Sequence, residues 1–230
     1  MLEALLENPQ LSEKHLAILL SRRDLPRSIV TQIAQNRERM KSYPLKLAVV
    51  KHPHTPRHLA LPLLKFLYLF DLMGIATMPG VPPELKRLAE EAILAQREGI
   101  SLGQRLSLAR RGSTRIAAGL LADSNRRVIE AALSNPSLTE PAVAAALRRE
   151  KASPELTEAV AVHPRWCVCL GVKLALLRSP YLSLRRFMEI LPHLPTTDLA
   201  DLISDAHVAG NIRAYVSRML KARKARRKPN

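Results

Sequence analysis

Two clusters of side chains in this 230-residue chain have types and spacing that suggest metal or nucleophile chemistry. His52-Pro53-His54, with His58 four residues further on, has the H-x-H spacing that zinc or copper accepts. Cys167 and Cys169 form a C-x-C pair of soft ligands, but no second pair completes a four-ligand zinc site. The histidines have no carboxylate beside them in sequence, and 127 residues later their places hold Ser179, Tyr181 and Arg185. They read as a basic loop between helices, so neither a metal nor a cofactor is expected. G-x-x-x-x-G-K-[ST], G-x-G-x-x-G and G-x-S-x-G are missing, and spacing sets no histidine against either cysteine. The chain reads as non-enzymatic.

What remains is charge. Lys and Arg number 36 against 20 Asp and Glu, a formal net charge of +16. Half of that excess lies between Arg213 and Asn230, where Arg218, Lys221, Arg223, Lys224, Arg226, Arg227 and Lys228 follow Arg213 with no acid among them. Two further stretches, Arg39 to Phe70 and Ala159 to Met188, also lack Asp and Glu. They hold Lys46, Lys51 and Arg57 in one case and Lys173, Arg178, Arg185 and Arg186 in the other. Such stretches raise the local potential and favour an anionic partner: an acidic protein segment, a nucleic-acid backbone or, through the tail, an anionic membrane surface. Lys46 and Lys173 sit in apolar runs, so each either pairs with the duplicated acids Asp71 and Asp198 or contacts the partner directly. Trp166, beside His163-Pro164-Arg165, is either core filling or a contact anchor. Tyr43, Phe66, Tyr68 and Phe70 lie in an apolar context that predicts core packing.

These residues must be positioned by helices. Ala and Leu dominate the apolar 47%, aromatic residues are 3%, and 17 prolines stand against 8 glycines. Laid on itself at an offset of 127, the chain repeats: 16 of 68 positions are identical between 8–75 and 135–202. Asn8-Pro9-Gln10-Leu11-Ser12-Glu13 returns as Asn135-Pro136-Ser137-Leu138-Thr139-Glu140, with a one-residue slip expected near Pro26 and Pro154. A shorter period of 44 separates Asn8-Pro9 from His52-Pro53, and Asn135-Pro136 from Ser179-Pro180. A residue before proline is pushed out of the helical region and ends one helix. Ser12 or Thr139 then caps the next, and Pro56 sits in a first turn. Apolar spacing between these marks predicts ten or eleven short helices and no strand. The most apolar run, Leu59 to Ala76, carries Pro62, Lys65 and Asp71 and reads as a buried core helix, not a membrane span. The first residues lack the basic and apolar regions of a signal peptide, so a reducing cytoplasm is the expected setting.

The run Asp123-Ser124-Asn125-Arg126-Arg127-Val128-Ile129-Glu130-Ala131-Ala132-Leu133-Ser134-Asn135-Pro136-Ser137-Leu138-Thr139 resembles the bacterial HEAT-like and leucine-rich-repeat-variant helical repeats. There an aspartate precedes a V-x-x-A-L helix, followed by Asn-Pro and a Leu-Ser/Thr start to the next. The chain lacks the cysteine cluster of the iron–sulfur variety. The resemblance implies an all-α, right-handed α-solenoid: one domain over 1–210, with duplicated halves 2–76 and 129–203 and linker repeats 77–128, then a basic helix and tail over 211–230. Such repeats serve as scaffolds, adaptors and a few DNA-binding enzymes. The expected function is a scaffold that takes an acidic protein partner in a basic groove. The alternative is a repeat protein holding DNA or RNA phosphates, with a DNA-repair enzyme a distant third.

Overall fold

The computed structural model describes residues 6, 11–96, 99–150, 152–204 and 210–226, the side chains at 204, 210–212 and 223–226 excepted. The chain is all-α, with no strand among the described residues. It divides into two compact units, Met1–Ile116 and Ala117–Asn230. The first contains α1 (Glu13–Ser21), α2 (Arg27–Gln35), α3 (Tyr43–Lys51), α4 (Arg57–Leu63), α5 (Leu69–Thr77), α6 (Pro83–Ala95) and α7 (Leu102–Arg111). The division falls inside α8 (Thr114–Leu120). The second contains α9 (Arg126–Leu133), α10 (Glu140–Leu147), α11 (Pro154–Val162), α12 (Leu170–Leu177), α13 (Leu184–Ile190), α14 (Thr196–Ser204) and α15 (Gly210–Arg226).

The described helices outnumber the ten or eleven expected, because apolar runs that read as single helices are broken. Leu59 to Ala76 is split: α4 ends just after Pro62, a 3-10 turn covers Leu64–Phe66, and α5 begins at Leu69. Pro62 has no N–H to donate, and its ring crowds the preceding turn, so a long helix through it is disfavoured.

The duplication is written into the helix boundaries. α1 to α6 and α10 to α15 begin in register, from Glu13 and Glu140 through Arg27 and Pro154 to Pro83 and Gly210, always 127 residues apart. The expected slip near Pro26 and Pro154 does not occur: Pro26 occupies the N-cap of α2, while Pro154 is the first residue of α11. Helix pairing repeats as well, with α1 packed on α3 as α10 is on α12, and α5 on α6 as α14 is on α15.

Side chains in the loops show why the X-Pro marks punctuate so regularly. Asn135 Oδ1 accepts from the N–H of Ser137, His52 Nδ1 from that of His54, His163 Nδ1 from that of Arg165, and Ser179 Oγ from that of Tyr181. Asp123 Oδ1 does the same for Asn125 without a proline. An acceptor two residues ahead of an N–H offers the backbone an alternative to the helix, which stops there. Caps start the next helix. Ser12, Ser101, Ser153 and Ser183 each accept from an N–H in their own first turn. Thr139 holds the N-cap of α10 without a side-chain bond, and Pro56 lies one residue before α4, outside its first turn. Asn8-Pro9 lies outside the described residues.

The cores are aliphatic. Leu16, Leu20, Ile29, Ile33, Leu45 and Val49 cluster in the first unit. In the second, Phe187, Leu191, Leu199 and Leu202 are joined by Val216 and Leu220 of α15, so the basic C-terminal helix is tied into that unit's core.

Candidate functional site

The basic positions are held by helices α3, α4, α12, α13 and α15, and several meet acids that the linear sequence keeps apart. On α3, Lys51 Nζ lies 3.7 Å from Asp71 Oδ1, and Asp71 also accepts from the hydroxyl of Tyr43. Burial first, and then this contact, hold the Tyr43 phenol above its usual pKa. Arg57 pairs with Glu84 of α6. Arg185 and Arg186 share Glu189 one turn along α13, at 3.1 and 2.6 Å, and together they hold its carboxyl below the usual range. Arg178, at the C-cap of α12, is half-buried. On α15 Arg218 and Lys221 are exposed, whereas Arg213 is half-buried. Arg223, Lys224 and Arg226 continue the same helix, and Arg227 and Lys228 lie outside the described residues.

The expected Lys46–Asp71 pair does not form. Tyr43 and Lys51 occupy that carboxylate, and Lys46 Nζ instead lies 4.9 Å from the centroid of Phe66. In the second unit Lys173 and Asp198 are not ion-paired either, and Leu170 and Thr197 stand where the first unit has Tyr43 and Phe70. Both lysines are half-buried on equivalent helices, and among the described residues no acid is bound to either.

Three aromatic residues expected in the core are on the surface. Phe66 is 60% exposed, Tyr68 69% and Phe70 46%. They flank the break between α4 and α5, where side chains alternate: Leu67 turns inward and Phe66 and Tyr68 outward. Tyr43, half-buried, meets the ring of Tyr68 at 4.4 Å between centroids, and its hydroxyl accepts from the Tyr68 N–H. Spacing of two residues, foreign to a helical face, is the sequence signal for this exposure. In the second unit those places hold His193, Pro195 and Thr197.

Trp166, by contrast, is only 2% exposed and has no free face for a partner. Its indole N–H donates to the Leu133 carbonyl at 2.8 Å, and the guanidinium of Arg165 lies 4.2 Å from the ring. Arg165 also donates to the carbonyls of Asn135 and Leu138. Arg39, the counterpart of Trp166, donates to the equivalent carbonyl of Leu6 at 2.7 Å. Equivalent backbone acceptors are thus satisfied by two different side chains.

The H-x-H and C-x-C clusters serve the backbone. Since His52 Nδ1 accepts from the His54 N–H, its Nε2 carries the proton and donates to the Arg22 carbonyl at 2.9 Å. Burial pushes the His52 pKa down. His54 Nδ1 lies 2.7 Å from the Leu25 carbonyl. The thiols of Cys167 and Cys169 donate to the carbonyls of Pro164 and Arg165, and burial raises the Cys169 pKa, keeping it a thiol. Among the described residues no three His, Cys, Asp or Glu side chains are grouped to hold a metal ion.

Glu13 and Glu140, in the first turns of α1 and α10, also reach across to later helices. Ser42, the N-cap of α3, donates to Glu13 at 2.7 Å, and the Gly171 N–H in the first turn of α12 donates to Glu140 at 2.7 Å. Each unit also carries a cleft at an equivalent place, about 390 Å³ beside Leu20, Ala48 and Lys51 and about 450 Å³ beside Leu147, Ala175 and Arg178. Its recurrence marks it as a product of the repeated helix pairing. No helix among the described residues is long and apolar enough to cross a membrane. Comparison with known proteins finds no matching family model, no matching curated protein and no matching solved structure.

Proposed function

We propose that the chain is a non-enzymatic scaffold, a right-handed α-solenoid of HEAT-like repeats that binds an acidic protein segment on a basic face. The observation that carries this reading is Lys46 and Lys173. They stand at equivalent points of α3 and α12, each half-buried in an apolar run of sequence and neither paired with an acid among the described residues. Folding alone does not call for a lysine there, because a partly buried cation without a counter-charge costs stability. Two units that share about a quarter of their aligned residues nonetheless keep it. Lys46→Met and Lys173→Met test the reading by fluorescence-anisotropy titration of a labelled poly-aspartate peptide, beside thermal melts. The scaffold reading expects each variant to bind the peptide at least several-fold more weakly while melting at or above the parent temperature. Lower melting with unchanged affinity would sink it.

A second reading, nucleic-acid binding through phosphates, is favoured by α15. Val216 and Leu220 face its core side, Arg218 and Lys221 are exposed, and the helix runs on through Arg223, Lys224 and Arg226. A helix docked by its apolar side that runs on through basic residues suits contact with a polyanion backbone.

A further inference from the structure

The exposed rings of the first unit carry an inference of their own, which rests on the scaffold reading and gives it a place and a partner chemistry. Phe66, Tyr68 and Phe70 stand at alternate positions within five residues and are open to solvent, and soluble proteins seldom gather several large exposed apolar side chains without an interaction role. The fold does not require them. α4, the 3-10 turn and α5 recur in the second unit at the same spacing, with His193, Pro195 and Thr197 in their places. The group is also held in shape: the ring of Tyr68 lies tilted against that of Tyr43, and Tyr43 is anchored through Asp71 to α5. Its charge is positive. Lys46 lies against Phe66, Lys65 is exposed beside it, and the nearest acid in sequence, Asp71, is engaged by Tyr43 and Lys51.

We propose that Lys46, Lys65, Phe66, Tyr68 and Phe70 form a docking surface for an acidic peptide segment that carries a large apolar side chain between its carboxylates. The apolar side chain covers the rings, where aromatic anchors give most of the binding energy, and the carboxylates meet the two lysines. Single-stranded nucleic acid suits the patch less well. Sequence-tolerant stacking uses ring faces along a continuous cationic track, whereas here Lys46 and Tyr43 each occupy a ring face and only two cations are present.

The test is an anisotropy titration with three fluorescein-labelled probes: an acidic octapeptide with leucine and phenylalanine at its centre, an octa-aspartate, and oligo-dT of twelve nucleotides. The mixed peptide is expected to bind at least tenfold more tightly than octa-aspartate. Phe66→Ser with Phe70→Ser should abolish that advantage, and because both rings are exposed the variant should melt with the parent. Tyr68→Ser provides a second, independent variant. Equal binding of the two peptides, or an advantage that survives both variants, overturns the docking surface while leaving the scaffold reading standing. Failure of every acidic peptide to bind removes both, and oligo-dT binding that is lost in the ring variants replaces the peptide with nucleic acid.

Discussion

Trp166 and Arg39 show how one structural need is met by different chemistry. Each sits at the same place in its unit and donates to an equivalent buried carbonyl, that of Leu133 at the end of α9 or that of Leu6. A buried carbonyl left without a donor costs roughly 1–3 kcal/mol. Trp166→Phe keeps most of the ring but removes the donor, so it should cost about that much by urea denaturation. Trp166→Ala should cost about 3–5 kcal/mol, since it also opens a cavity. A Trp166→Phe protein as stable as the parent would show that the indole N–H has no structural part. Histidine supplies a second residue-scale expectation. His52 is buried, bonded at both ring nitrogens and flanked by His54 at 5.6 Å, and its pKa is depressed by burial, as is that of His163. A base whose folded pKa lies below its unfolded value, about 6.5 for histidine, binds more protons unfolded. Its contribution is complete above about pH 6.5 and is lost as pH falls through the folded value. The melting temperature should therefore drop between about pH 7 and 5, before carboxylates titrate, and His52→Asn should flatten part of that slope. An unchanged slope in the variant would remove His52 as a source.

At the scale of elements, bonds between helices matter as much as helix propensity. Glu140 belongs to α10 but its carboxylate receives the Gly171 N–H at the start of α12, where the helix dipole also favours negative charge. Glu140→Ala should cost about 1–2 kcal/mol, and Glu140→Gln less, in thermal or urea unfolding. Equal losses from both would point to packing instead of the charge-assisted bond. Gly112, between α7 and α8, has a sharper constraint: a Cβ there would lie 2.5 Å from the Leu108 carbonyl oxygen and 2.7 Å from Ile116 Cγ2. Gly112→Ala should destabilise by about 1–3 kcal/mol, and a neutral result would mean the α7–α8 joint yields easily. These pairings also mark what could be read from sequence. Helix starts could be read closely, because X-Pro and Ser/Thr act within a few residues of where they stand, as Ser12 does for α1. Partners across helices could not. Nothing in the spacing of Lys46 distinguishes Asp71 from the face of Phe66, and the exposed rings read as core because their apolar neighbours hid the break after Pro62.

For the molecule as a whole, the charge of +16 is less concentrated than its sequence distribution suggests. Stretches without acids receive Asp71, Glu84 and Glu189 from neighbouring turns and helices, which neutralise part of the body's excess. What remains is divided between the lysines of the body and the far end of α15, and salt dependence separates them. A chain ending at Ala222 keeps Val216 and Leu220 in the second unit's core, whereas one ending at Asn211 removes both and should lose stability. The cut at Ala222 takes away five basic residues, Arg223, Lys224, Arg226, Arg227 and Lys228. For duplex DNA, every phosphate that the shortened chain no longer neutralises should make the slope of log K against log salt shallower by about 0.9. If the helix end tracks a nucleic-acid backbone, the shortened chain should show a slope shallower by several units and much weaker binding at moderate salt. If the body holds an acidic protein segment, affinity for the mixed acidic peptide should survive the cut nearly intact, with its salt dependence set by Lys46 and Lys65. A cut that weakens the peptide and the DNA equally would mean that one surface, at the end of α15, accounts for both, and Lys46 and Lys173 would lose their assigned role.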